Sequence, residues 1–195
     1  MASIECKKNG PYLVKDVKKI IDSDGLEMSY KQERALCRCG KSGYKPFCDG
    51  TDITIEFDDQ VPEVKKSVKA EEFVGREITV HFDEVLCSHS ERCSQSLPDT
   101  FKRDGRLGID PDSSSVETII EVINNCPSGA LSYSNSGVET AVLQRSPEIM
   151  VQANGPYQVK GGIELKDVEK RERASDEHFC LCRCGESGNK PFCDG

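Results

Sequence analysis

Nine of the eleven cysteines in this chain fall into three sets: Cys37, Cys39 and Cys48; Cys87, Cys93 and Cys126; Cys182, Cys184 and Cys193. Thiolates select zinc, copper(I) or iron–sulfur clusters over hard cations. The first and third sets share one pattern, a Cys-x-Cys pair and a third cysteine beyond a loop of glycine, serine and proline. Gly40 and Gly43 permit tight turns and let backbone amides approach sulfur. Pro46 restricts the backbone leading into Cys48. Such a loop builds a soft-metal pocket, and an iron–sulfur cluster is its expected occupant. The competing reading is a structural zinc site made of three cysteines and an oxygen donor.

The surrounding elements repeat. Leu36–Gly50 recurs as Leu181–Gly195 with differences only at Lys41/Glu186 and Tyr44/Asn189, and the same offset aligns Asn9-Gly10-Pro11-Tyr12 with Asn154-Gly155-Pro156-Tyr157. A module of roughly forty residues is therefore duplicated. Three units are expected: a first cysteine module over 1–58, a middle module over 73–135 and a second cysteine module over 150–195. The Asn-Gly-Pro-Tyr turns lead into short strands. Asp52 to Phe57 alternates polar and apolar residues, which predicts a half-buried strand. Asp58 to Glu72, with Pro62 and many charges, reads as a linker. In the middle module, Ile78, Val80 and Phe82 share one strand face. Ser113–Ser115 cap a helix whose Val116, Ile119, Ile120 and Ile123 recur at helical spacing. Cys126-Pro127 ends it, and Ala130 to Tyr133 resumes a strand. The expected fold class is α+β, with two small β-rich modules flanking an α+β module.

Composition narrows the function. With 36% hydrophobic residues, 31% charged and no tryptophan, there is little material for one large core. Modules this small usually need a metal or disulfides to stay folded. A secreted disulfide scaffold is the rival, but the N-terminal Met1–Lys8 has no apolar signal region, and clustered intracellular cysteines are more often ligands. No stretch reaches the roughly eighteen apolar residues of a membrane span. A net charge of −8 disfavours nucleic acid as a partner. A reduced, soluble, cytoplasmic protein is expected.

The duplicated motif resembles the CDGSH iron–sulfur family, whose members bind a 2Fe-2S cluster through three cysteines and one histidine. The resemblance implies Cys37, Cys39 and Cys48 as ligands in the first copy and Cys182, Cys184 and Cys193 in the second. The family histidine follows the Asp-Gly pair by two positions. Asp52 holds that position in the first copy, and the given sequence stops at Gly195 in the second, where further native residues are expected. Asp52 is a candidate carboxylate ligand to iron; the bland alternative is a solvent-facing strand residue. A carboxylate stays charged where histidine titrates, lowering the cluster potential and weakening its response near neutral pH.

In the middle module, Cys87-Ser88-His89-Ser90-Glu91-Arg92-Cys93 and the distant Cys126-Pro127 resemble a bacterial ferredoxin run with Ser90 in place of one cysteine. Gly75 to Tyr133 also resembles the divergent single-cluster ferredoxin domain. Cys87, Cys93 and Cys126 are its implied ligands, to a 3Fe-4S or a 4Fe-4S cluster, the latter with Ser90, His89 or water as fourth donor. His89 reads equally as a loop residue bonded to backbone. His81 is expected to be solvated, and His178 has no evident role. Cys6 and Cys180 are incidental thiols, although Cys180 lies near enough to its motif to replace a damaged ligand.

One-electron transfer between soluble redox proteins is the expected function. The alternative is cluster storage, transfer to acceptor proteins, or redox sensing; a structural zinc protein is third. Tandem CDGSH proteins pair their halves within a chain, so a monomer paired internally is expected, with a homodimer as the alternative. No nucleophile–base pair, phosphate loop or flavin or nicotinamide fingerprint is evident, and catalysis is not expected.

Overall fold

The computed structural model describes residues 1–29, 33–61, 70–135, 143–166 and 175–195. Most of the expected linker, 62–69, lies outside them. The first copy contributes strands β1 (Ser3–Cys6), β2 (Tyr12–Lys15), β3 (Lys19–Ile21) and β4 (Glu33–Leu36), then a one-turn helix α1 (Thr51–Thr54). The middle unit follows with β5 (Glu71–Val74), β6 (Thr79–Phe82), a 3-10 turn at Glu84–Leu86, α2 (Arg92–Ser96), β7 (Phe101–Asp104), β8 (Arg106–Ile109), α3 (Val116–Asn124) and β9 (Leu131–Ser134). The second copy supplies β10 (Glu148–Val151), β11 (Tyr157–Lys160), β12 (Glu164–Lys166) and β13 (His178–Leu181). The fold is α+β.

The two copies exchange a strand. One sheet runs β12-β1-β2-β4 and the other β13-β11-β10-β3. Within each copy neighbouring strands are antiparallel, but β3 joins β10 in parallel (Ile20 opposite Ile149), and β12 joins β1 in parallel (Leu165 opposite Ile4). Ile4, Ile20 and Ile149 are wholly buried. The swap is anchored at one end by Glu148, which pairs with Lys19 of β3 at 2.8 Å and with Lys160 of β11 at 2.7 Å.

The middle unit folds as its apolar pattern requires. β5, β6 and β9 form an antiparallel sheet. Ile78, Val80 and Phe82 are buried, as are Ile119 and Ile123 of α3, whose start is capped by Ser115 accepting from the Thr118 amide. Residues of all three units share one apolar core.

The expected strand over Asp52–Phe57 is overturned. That segment closes on itself through Ile53 N to Gly50 O, Ile55 N to Thr51 O and Phe57 N to Asp52 O. Ile53 is 80% exposed, so the alternating isoleucines have no sheet to bury against. Phe57 and the carboxylate-bearing Asp52 turn inward instead.

Candidate iron–sulfur sites

Each duplicated loop ties itself together the same way. The amides of Cys37 and Cys182 bond to the carbonyls of Pro46 and Pro191, each at 2.8 Å. Ser42 and Ser187 donate to the carbonyls of Phe47 and Phe192, each at 2.7 Å. These bonds fold the loop so that Cys37 Sγ and Cys39 Sγ lie 3.8 Å apart, and Cys182 Sγ and Cys184 Sγ 3.7 Å apart. On the other side of the first loop, Cys48 Sγ lies 3.0 Å from Asp52 Oδ1. α1 thus performs what a strand could not: it turns the Asp52 carboxyl back over Cys48. Asp52 is buried, contrary to a solvent-facing role.

These donors fit an iron–sulfur group better than a single ion. In the first copy they come as two pairs, Cys37 with Cys39 and Cys48 with Asp52; in the second, Cys182 pairs with Cys184. Two donors for each of two irons is what a two-iron cluster requires of its protein.

Backbone amides aim at the sulfurs. Gly50 N lies 3.4 Å from Cys48 Sγ and Glu186 N 3.4 Å from Cys184 Sγ. The amides of Lys41, Gly195 and His89 approach Cys39, Cys193 and Cys87 in turn. Gly50 (φ 88°), Gly195 (φ 102°) and His89 (φ 50°) all take left-handed backbone to do so. Such bonds stabilise bound thiolate and tune a cluster. Without metal, burial dominates: it pushes Cys48, Cys87 and Cys182 up to about 11, with the Asp52 carboxyl adding to the rise at Cys48. Metal binding must therefore displace protons at neutral pH.

The first site is braced from behind. Arg38 is buried, pairs with Asp59 at 2.9 Å and lies over the rings of Tyr12 and Phe57. Asp59 also accepts from Lys8 Nζ at 2.7 Å and the Asn9 amide at 3.1 Å. The start of the expected linker is thus held against the first copy.

Cys87, Cys93 and Cys126 line one cavity together with Ser88, His89, Ser90 and Arg103. Burial raises the Cys87 and Cys93 thiols, partly offset by Arg103. His89 is exposed and its ring packs on Gly195 and lies 3.4 Å from Arg103 Nη2. His81 bonds Ser134 Oγ at 3.0 Å. His178 is buried between Ser175 and Glu177, and burial, followed by Arg145, holds it below the ordinary imidazole range. Cys6 is a core residue. Cys180 is equally buried, but it meets Ser88 of the middle unit. That contact joins residues far apart in sequence, so no local motif signalled it.

The sites are neighbours. A β-carbon on Gly40 would lie 2.2 Å from the Cys184 carbonyl oxygen, and one on Gly185 would lie 2.6 Å from that of Cys39. The two Cys-x-Cys-Gly turns therefore touch backbone to backbone, and only glycine allows it.

Family comparison agrees with this layout. Residues 9–51 and 154–195 match the family described as iron-binding zinc finger CDGSH type, and residues 73–136 match the divergent 4Fe-4S mono-cluster family. A 61-residue stretch, 31% of the chain, is 38% identical to 80% of the uncharacterized protein YjdI of Escherichia coli K12, and equally to its counterpart in strain O157:H7. Among the described residues no helix is long and apolar enough to cross a membrane.

Proposed function

Because this chain belongs to the iron–sulfur proteins, with two CDGSH-type modules flanking a divergent mono-cluster ferredoxin module, we propose that it carries single electrons between redox proteins. The observation that supports this most is the contact of the second set of cysteines with the first set on one side and with the middle unit on the other. Cys37, Cys39, Cys48 and Asp52 would hold a 2Fe-2S cluster, and Cys182, Cys184 and Cys193 a second one. Cys87, Cys93 and Cys126 would hold a 3Fe-4S or 4Fe-4S cluster. A bound cluster supplies a one-electron couple; the protein sets its potential through ligand charge, amide–sulfur bonds and burial. Asp52 adds negative charge at the first site and would lower its potential. The acidic surface suits basic partner proteins. In this reading the protein is a cytoplasmic carrier rather than a catalyst, a monomer paired internally by its exchanged strands.

One observation favours a second reading, cluster delivery to an acceptor protein. Cys184 is exposed whereas its counterpart Cys39 is buried, so an incoming thiol reaches the second site more readily. Electron paramagnetic resonance before and after dithionite, with iron and zinc analysis, tests the two. Reversible reduction with retained iron is expected for a carrier. Cluster loss to an apo-acceptor on redox change would favour delivery, and zinc without iron would overturn both.

A further inference from the structure

The two cluster loops differ at only two of fifteen positions, yet the contacts that follow join the middle unit to the second copy. At the aligned positions where the first copy has Tyr44, 68% exposed, the second has Asn189, 7% exposed. Asn189 Nδ2 donates to the Val85 carbonyl of the middle unit at 3.0 Å. Ala35 of β4 aligns with Cys180 of β13, and Cys180 is buried against Ser88, which adjoins the ligand Cys87. The Cys180 carbonyl in turn accepts from the amide of Cys193, a ligand of the second copy, at 3.0 Å. Arg92, adjoining Cys93, donates to Gln158 of β11 at 3.3 Å. The His89 ring packs on Gly195, and Gly129 abuts the His178 carbonyl and Ser175. The contacts across the boundary join the middle unit to the second copy, and the Cys193–Cys180 bond carries them to that copy's ligand loop. The first CDGSH site meets the second across Gly40 and Gly185.

From these contacts we infer that the three sites are wired in series, with the second CDGSH site at the centre. The Cys180–Ser88 contact links it to the middle module's site, and the Gly40–Gly185 contact links it to the first CDGSH site. This order rests on the electron-transfer reading. At each step one electron leaves a reduced site and enters its oxidised neighbour. No bond, proton or atom is exchanged, and the initial donor is a one-electron reductant protein. Cys180 is a positioning residue, and the Asn189/Tyr44 difference is what makes the repeat directional.

The test is spin relaxation in the full-length protein reduced with dithionite. Cys37→Ser isolates the second CDGSH signal and Cys182→Ser isolates the first. Adding Cys126→Ser, or Cys93→Ser if the former does not fold, removes the middle site from each background. The series order predicts loss of spin–spin broadening from the second-site signal and no change in the first-site signal. Loss from the first-site signal, or from neither, overturns the order. Cys180→Ala, which installs the first copy's residue, is expected to slow electron redistribution after pulse reduction with iron content unchanged; an unchanged rate overturns the bridge. Reversible reduction with the wrong pattern sinks the series order alone, whereas clusters that cannot be reduced reversibly sink the electron-transfer reading itself.

Discussion

The Tyr12 hydroxyl donates to the carbonyl of Cys182 at 2.9 Å, reaching from the first copy into the ligand loop of the second. Tyr157 reciprocates onto Cys37 at 2.8 Å, and the two rings meet edge to face. Each hydroxyl also holds the facing proline carbonyl, of Pro191 and of Pro46, at 3.0 Å. Burial raises both phenols far above their ordinary range, so they stay protonated and act as donors. Each cluster loop is therefore braced by the other copy.

Tyr12→Phe takes this donor from the buried Cys182 carbonyl, while the Pro191 carbonyl keeps the Cys182 amide. The expected cost is about 1–3 kcal/mol. Thermal unfolding of the holoprotein should show it, with the second site losing its visible absorbance before the first. Tyr157→Phe should reverse that order.

Gly40→Ala drives a methyl group into the Cys184 backbone and should cost more than about 3 kcal/mol, beyond the usual single-substitution range. Gly25→Ala is the control. Gly25 also has left-handed backbone, with nothing within 4 Å of a β-carbon there, so only the conformational penalty of roughly 1–2 kcal/mol remains. Equal losses in denaturant titrations would contradict the close approach.

Asp52→His replaces a carboxylate with a neutral imidazole beside Cys48. The first-site potential should rise and acquire a slope with pH around ~6–7, where histidine titrates. Asp52→Ala should lower iron retention at that site while leaving the second site loaded. Protein-film voltammetry and iron analysis read these outcomes.

Acid should loosen the strand exchange. Burial pushes the Glu148 carboxyl up, but hydrogen bonds from Lys160 and Lys19 prevail and hold it below its usual value. A depressed carboxyl stabilises the fold above its unfolded pKa of ~4.3, and that stability is lost as pH falls through the folded value. Glu148→Gln should cost on the order of 1 kcal/mol at neutral pH, because both lysines remain partly in water. Its stability should also fall less steeply in acid than that of the wild type.

Much of this protein is legible in its order of residues. The spacing of Cys37, Cys39 and Cys48, its repetition at Cys182, Cys184 and Cys193, and the ferredoxin-like Cys87, Cys93 and Cys126 are local patterns. Cluster ligands must be supplied at set intervals along the chain, so sequence alone identifies the candidate ligands and the modules that carry them. The same holds for α3 and for β6, whose faces follow from apolar periodicity. Tertiary structure decided the rest. Ile53 and Ile55 alternate like strand residues, but a strand needs a partner, and none of the pairing information lies in that segment. Lys19–Ile21 and Glu164–Lys166 carry no mark of crossing to the other copy; the exchange follows from which sheet edge buries Ile20 and half-buries Leu165. Cys180 reads as a spare thiol until the middle unit is placed against it. Contacts between distant segments depend on the whole core, and only the folded chain assigns them.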